Sequence, residues 1–147
     1  MSIHASLLFR RFLLVAVLFV PVTLTAEEAL QVEAITPAAA AQQVKAGKAI
    51  LIDVRERDEL DAGMAEGARW YPTSSIEAGP DPYREFIASL PQGQTLVFYC
   101  ASGRRAGAAA DIASKELGRK AANLGGFKDW KGAGLPVTTP AKTLAPD

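Results

Sequence analysis

Apolar positions along this chain fall into short blocks of two kinds. Ala49–Val54 (AILIDV) and Thr95–Tyr99 (TLVFY) are continuous apolar runs rich in β-branched and aromatic residues. Runs of this length without polar alternation read as strands covered on both faces, as in a parallel sheet. Elsewhere the spacing becomes helical. Tyr83, Phe86, Ile87 and Leu90 share one face, and an alanine-rich segment extends from about Arg104 to Leu117, with Gly118 as its stop. Thr36-Pro37 supplies a cap and a first-turn proline, which predicts a helix over Ala38–Lys45 ended by Gly47. Val32–Ile35, Gly67–Tyr71 and Ala121–Leu124 suit shorter strands, and Phe127–Lys131 a helical turn. Thr73–Pro82 is rich in turn residues and reads as a surface loop. Arg55–Asp61 reads as a charged surface turn or short helix, with Arg55–Glu59 a solvated face. Strands alternating with helices predict an α/β three-layer sandwich around a mainly parallel sheet. One domain over residues 33–138 is expected, with a loose tail at 139–147.

The N-terminal 26 residues fall outside this pattern. Arg10 and Arg11 precede nine uninterrupted apolar residues, Phe12–Val20, and smallish residues follow up to Ala26. A charged start, an apolar stretch and small residues are the plan of a secretory signal peptide. The expected segment is 1–26, cleaved after Ala26, and the expected location is periplasmic or otherwise exported. An uncleaved anchor is the alternative, although the run is short of the roughly 20 apolar residues a span needs. Arg10-Arg11 also loosely resembles a twin-arginine signal.

Charge and composition narrow the chemistry. Lys+Arg and Asp+Glu are 16 each among 147 residues, and 49% of residues are apolar. This balance argues against partners held by bulk charge: no nucleic acid, and no membrane once the leader is gone. The leader would take with it His4, the only histidine. A Cys–His dyad, a Ser–His–Asp triad and a His-containing zinc site are then impossible. Cys100 is the only cysteine, so an internal disulfide is impossible too.

Cys100 ends the Thr95–Tyr99 strand, at the carboxyl edge where parallel sheets bind ligands. The loop Ala101-Ser102-Gly103-Arg104-Arg105 follows, then the alanine-rich helix. A thiolate can be stabilised without a histidine by a helix N-terminus, by loop N–H groups and by nearby cations. Gly103 permits the positive φ that lets successive N–H groups converge on an anion.

These residues resemble the rhodanese-like sulfurtransferase family. Cys100–Arg105 is similar to its six-residue active loop, C-x-x-G-x-R. Leu51-Ile52-Asp53-Val54-Arg55 is similar to its first signature, and Asn123–Val137 (NLGGFKDWKGAGLPV) to its closing one. The resemblance spans about Ile35–Val137. With an export signal and a single domain, the chain is most similar to the periplasmic, phage-shock-protein-E-like thiosulfate sulfurtransferases. One departure stands out: Gly63-Met64-Ala65-Glu66-Gly67-Ala68 occupies the place of the usual G-H-I-P-G-A. Phosphatase and arsenate-reductase relatives use C-x5-R, which would put an arginine at 106, where this chain has Ala106.

The resemblance implies a catalytic Cys100 that takes sulfur from thiosulfate or a persulfide donor. It would pass that sulfur to cyanide, a small thiol or a protein thiol, with no metal and no cofactor. Ala101, Ser102, Gly103, Arg104 and Arg105 would cradle the substrate, and Asp53 and Arg55 would support the site. Arg105 is expected to brace the loop and Arg104 to face the mouth or solvent. Ser102 could donate its hydroxyl to a bound sulfonate or serve only as a loop residue. Asp53 is expected to pair with Arg55 or Arg105. Trp70, Tyr71, Phe127 and Trp130 read as core. The alternatives are a non-catalytic module binding an anion or peptide, and a persulfide or redox relay.

Overall fold

A computed structural model describes residues 31–140. The expected leader and most of the expected tail lie outside this range. Strands β1 (Glu33–Ala34), β2 (Ala49–Asp53), β4 (Arg69–Trp70), β5 (Thr95–Cys100) and β6 (Ala121–Gly126) form a parallel sheet in the order β1-β6-β5-β2-β4. Strands β3 (Met64–Ala65) and β7 (Val137–Thr138) pair antiparallel beside it. Thr138, the last residue of the expected domain, ends β7.

The continuous apolar runs serve two cores at once, because successive side chains point to opposite faces. Leu96, Phe98 and Cys100 of β5 join Ile52 and Val54 against α3 (Pro80–Ser89) and α4 (Arg104–Asp111). Val97 and Tyr99 join Leu51 and Leu124 against α1 (Pro37–Lys45) and α5 (Phe127–Gly132). Each layer of helices is thus fixed by one parity of the same strand.

The caps follow the sequence closely. Thr36 Oγ1 accepts from Ala39 N at 3.3 Å and Pro37 opens α1. Gly118, at φ 64°, follows the Ile112–Glu116 π-turn that continues α4. Three expectations need correction. Thr73–Pro82 is no loop: it holds α2 (Thr73–Ala78) and the first turn of α3. Tertiary contacts decide this, since Thr73 donates to Val54 O at 2.7 Å and Ser74 donates to both carboxylate oxygens of Glu56. Pro80 and Pro82 sit in the first turn of α3, where a missing N–H costs nothing. The Gly67–Tyr71 strand shrinks to Arg69–Trp70. Third, Arg55 is buried, so Arg55–Glu59 is not a solvated face.

Among the described residues, no helix is long and apolar enough to cross a membrane. A cleft of about 910 Å³ lies by Thr95, Lys120 and β1. That is the opposite end of β5 from Cys100, five residues along a strand rising about 3.3 Å each.

Candidate active site

Cys100 is the last residue of β5 and has no exposed surface. Gly103, at φ 95°, turns the chain back over it and donates its N–H to Sγ at 3.0 Å. Burial pushes the thiol up, but N–H groups of Ala106, Ser102, Gly103 and Arg105 pull it further down, leaving it below the ordinary 9.0. The local anion stabiliser is therefore a ring of backbone dipoles at the start of α4.

Only glycine fits at 103. Its φ is in the left-handed region, and a Cβ there would sit 3.1 Å from Gly125 Cα. The register shift that brings Gly125 there falls between Phe98 and Tyr99, where β6 carries an extra residue. Asn123 secures the junction. Its Nδ2 donates to Gly103 O at 3.0 Å, and its Oδ1 accepts from Gly125 N at 2.9 Å. Asn123 was absent from the expected site; the signal was the polar residue before Gly125-Gly126 in an otherwise apolar strand.

Beside the loop, Arg105 Nη1 and Nη2 donate to Glu59 Oε2 and Oε1, each at 2.7 Å. Glu59 first, and the nearby Cys100 thiolate after it, raise the Arg105 guanidinium above its ordinary value. The guanidinium clamp holds the Glu59 carboxyl below its usual range. Arg105 thus braces the loop as expected, but through Glu59 rather than Asp53. Glu59 lies in the run expected to be solvated, and its spacing of 46 residues to Arg105 offers no local signal.

Beneath the loop lies a second network. Asp53 accepts from Arg55 Nη2 at 2.6 Å and from its Nε at 3.0 and 3.1 Å. The remaining Arg55 donors reach Gly63 O at 2.8 Å and Glu59 O at 3.1 Å. The guanidinium lies 4.0 Å from the Phe127 ring centroid. Burial works against the Arg55 charge, but hydrogen bonds and attraction to Asp53 outweigh it and hold the group above its ordinary value. The Tyr99 hydroxyl accepts from Ala65 N at 3.1 Å, and burial, with the Asp53 charge second, raises its phenol far above normal. Ala65 lies within the segment that departs from the family pattern, so its backbone still supports this layer.

Ala101, Ser102 and Arg104 are exposed on the loop, and no side-chain partner is recorded for Ser102 or Arg104 among the described residues. Trp70 is half-buried, its Nε1 donating to Arg55 O at 2.8 Å. Tyr71, also half-buried, stacks on Phe86 at 4.6 Å. Phe127 and Trp130 are core, as expected.

Comparison with known proteins agrees with this geometry. Residues 36–133 match the rhodanese-like domain family. The chain is 33% identical over 124 residues to a probable adenylyltransferase/sulfurtransferase, MoeZ, of Mycobacterium tuberculosis, covering 83% of this chain but only 28% of that protein. It is 33% identical over 93 residues to the thiosulfate:glutathione sulfurtransferase of Homo sapiens, covering 57% of this chain and 80% of that one. A crystal structure of a rhodanese-related protein from Thermoplasma volcanium superposes with a TM-score of 0.58 at 26% identity, covering 74% of this chain and 99% of that one. An α/β sheet with a thiol cradle at its carboxyl edge defines the class, and the chain belongs to the rhodanese-like family.

Proposed function

We propose that this protein is an exported sulfurtransferase that carries sulfane sulfur on Cys100. The supporting observation is the convergence of loop N–H groups on Sγ, which lowers the thiol without a histidine. In the first half-reaction the Cys100 thiolate attacks the outer sulfur of thiosulfate. The bond to the sulfonate sulfur breaks, sulfite leaves with that electron pair, and Cys100–S–S⁻ remains. In the second, cyanide or a thiolate attacks the outer sulfur. The S–S pair returns to Cys100, and thiocyanate or a new persulfide leaves. A persulfide donor can replace thiosulfate, releasing its own thiolate.

The cradle suits both halves. The N–H groups that hold the thiolate also hold the persulfide anion, while Arg105 stays fixed by Glu59. Cys100 is fully covered in the resting fold, so the loop must part for a donor to touch it. Uptake therefore reports loop opening as well as thiolate fraction. Incubation with thiosulfate followed by mass spectrometry should add one sulfur, about 32 Da, to the wild type and nothing to Cys100→Ser. Absence of the gain in wild type, or an equal gain in the variant, overturns the reading.

The burial of Cys100 also favours a second reading, a non-catalytic module that presents the loop to an anionic or peptide partner. It predicts no sulfur uptake and partner binding that survives Cys100→Ser. A redox relay would instead give a Cys100-dependent adduct on non-reducing electrophoresis. The leader, residues 1–26, places the protein in an exported compartment under this proposal, and mass measurement of the mature protein tests its removal.

A further inference from the structure

Two pairs of cationic side chains differ in how far their charge is already spent. Arg55 and Arg105 are neutralised at contact distance, by Asp53 at 2.6 Å and by Glu59 at 2.7 Å. Neither has spare charge to offer a substrate. Arg104 and Lys128 are exposed, and among the described residues neither has a recorded ion pair.

Lys128 belongs to the mouth by position. Cys100 and Gly126 are register partners on adjacent parallel strands. One face of Gly126 is crowded: a Cβ there would sit 2.6 Å from Ala101 O, 3.0 Å from Asp129 Oδ2 and 3.3 Å from Lys128 Cγ. The stem of Lys128 and the first residue of the active loop thus share one small space. The nearby acid, Asp129, is engaged with Gly126 N at 2.9 Å and its residue is exposed. Arg104 opens α4 on the loop itself. The two cations stand on different strand–helix junctions flanking the same sulfur.

We propose that Lys128, together with Arg104, forms a cationic rim that selects anionic substrates at Cys100, such as thiols or sulfane-sulfur donors bearing a carboxylate or sulfonate. This deepens the sulfur-transfer reading, since it assigns substrate charge to the same thiol. The physical basis is that a rim charge at partial exposure attracts an opposite charge modestly and is screened by salt.

The test does not need sulfur transfer. Cys100 is the only cysteine, so its alkylation is read at a single site. Rates of modification by iodoacetate and by neutral iodoacetamide are measured on wild type, Lys128→Glu and Lys48→Glu, each ratio normalised to free cysteine. Lys48 is exposed and precedes β2, at the far end of the sheet, so its variant carries the same net charge change away from the mouth. The expected result is an iodoacetate-to-iodoacetamide ratio about 5-fold lower in Lys128→Glu than in wild type, fading with added salt, and unchanged in Lys48→Glu. An unchanged ratio in Lys128→Glu, an equal fall in Lys48→Glu, or no modification of Cys100 by either reagent overturns the rim. A shifted ratio in a protein that takes up no sulfur from thiosulfate keeps the rim and discards the transfer reading.

Discussion

Arg55 and Arg105 each clasp a carboxylate, yet the two pairs do different work because their surroundings differ. The Arg55–Asp53 pair has side-chain exposures of 3% and 0%, and every Arg55 nitrogen has a partner. The Arg105–Glu59 pair has exposures of 23% and 29% and stands at the start of α4, on the Cys100 loop. A buried ion pair gains little net stability but is costly to break, because the survivor is left charged without a partner. A half-exposed pair is worth about 1 kcal/mol or less. The first pair therefore governs whether the floor of the site exists, and the second how the thiol behaves.

The largest effect is expected from breaking the buried pair on one side only. Asp53→Asn leaves the Arg55 cation enclosed and should cost about 3–5 kcal/mol, read as a fall in the urea midpoint. The double change Asp53→Leu with Arg55→Met removes both charges and should recover a large part of that loss. If the double variant is as unstable as the sum of its singles, the pair is not acting as an unsatisfied-charge problem, and the contrast with Arg105 fails.

Next comes the hinge between the two networks. Gly103→Ala places a Cβ 3.1 Å from Gly125 Cα at a φ of 95°. The strain should cost about 1–3 kcal/mol. Because Gly103 N donates directly to Sγ, sulfur uptake should fall by more than the stability loss explains. Uptake that merely tracks the folded fraction would show the N–H group to be incidental.

Glu59→Gln should lower stability by about 1 kcal/mol or less. Its signature is instead in the thiol. Arg105 is clamped by Glu59 beside the Cys100 loop, and releasing it moves a cation that favours the thiolate away from it. The Cys100 titration, followed by thiolate absorbance, should move upward in Glu59→Gln and stay in place in Asp111→Asn. Asp111 holds only an exposed pair with Lys115 on α4. An unmoved titration would make Arg105–Glu59 a mere surface bridge.

This contrast also marks where the sequence was legible. Strand and helix placement followed from periodicity, because β2 and β5 are covered on both faces and each parity feeds one core. Cys100, Gly103 and Arg105 were readable because their chemistry is local: strand end, positive φ and helix start lie within six residues. Glu59 and Asn123 were not, since each acts across the fold on a partner 46 and 20 residues away. The α2 helix was missed for the same reason. Its turn-rich sequence carries no helical period, and Glu56 and Val54 O supply the bonds that fix it.

The smallest predicted effect is the pH dependence, and it separates the half-exposed Glu59 carboxyl from the buried Cys100 thiol. Glu59 has a folded value below its unfolded 4.5. Its stabilisation is therefore complete above pH 4.5 and is lost as pH falls through the lower folded value. Cys100 has a folded value below 9.0. Its contribution is complete only above pH 9.0 and disappears as pH falls through the folded value. The wild type should accordingly gain stability as pH rises from the folded thiol value toward 9.0, whereas Cys100→Ser should show no such gain. Glu59→Gln should keep a gain at the alkaline end but begin it at higher pH, and should lose less on acidification below pH 4.5. Urea midpoints taken across both windows test this. An identical alkaline slope in wild type and Cys100→Ser would mean that the loop N–H groups do not hold a thiolate.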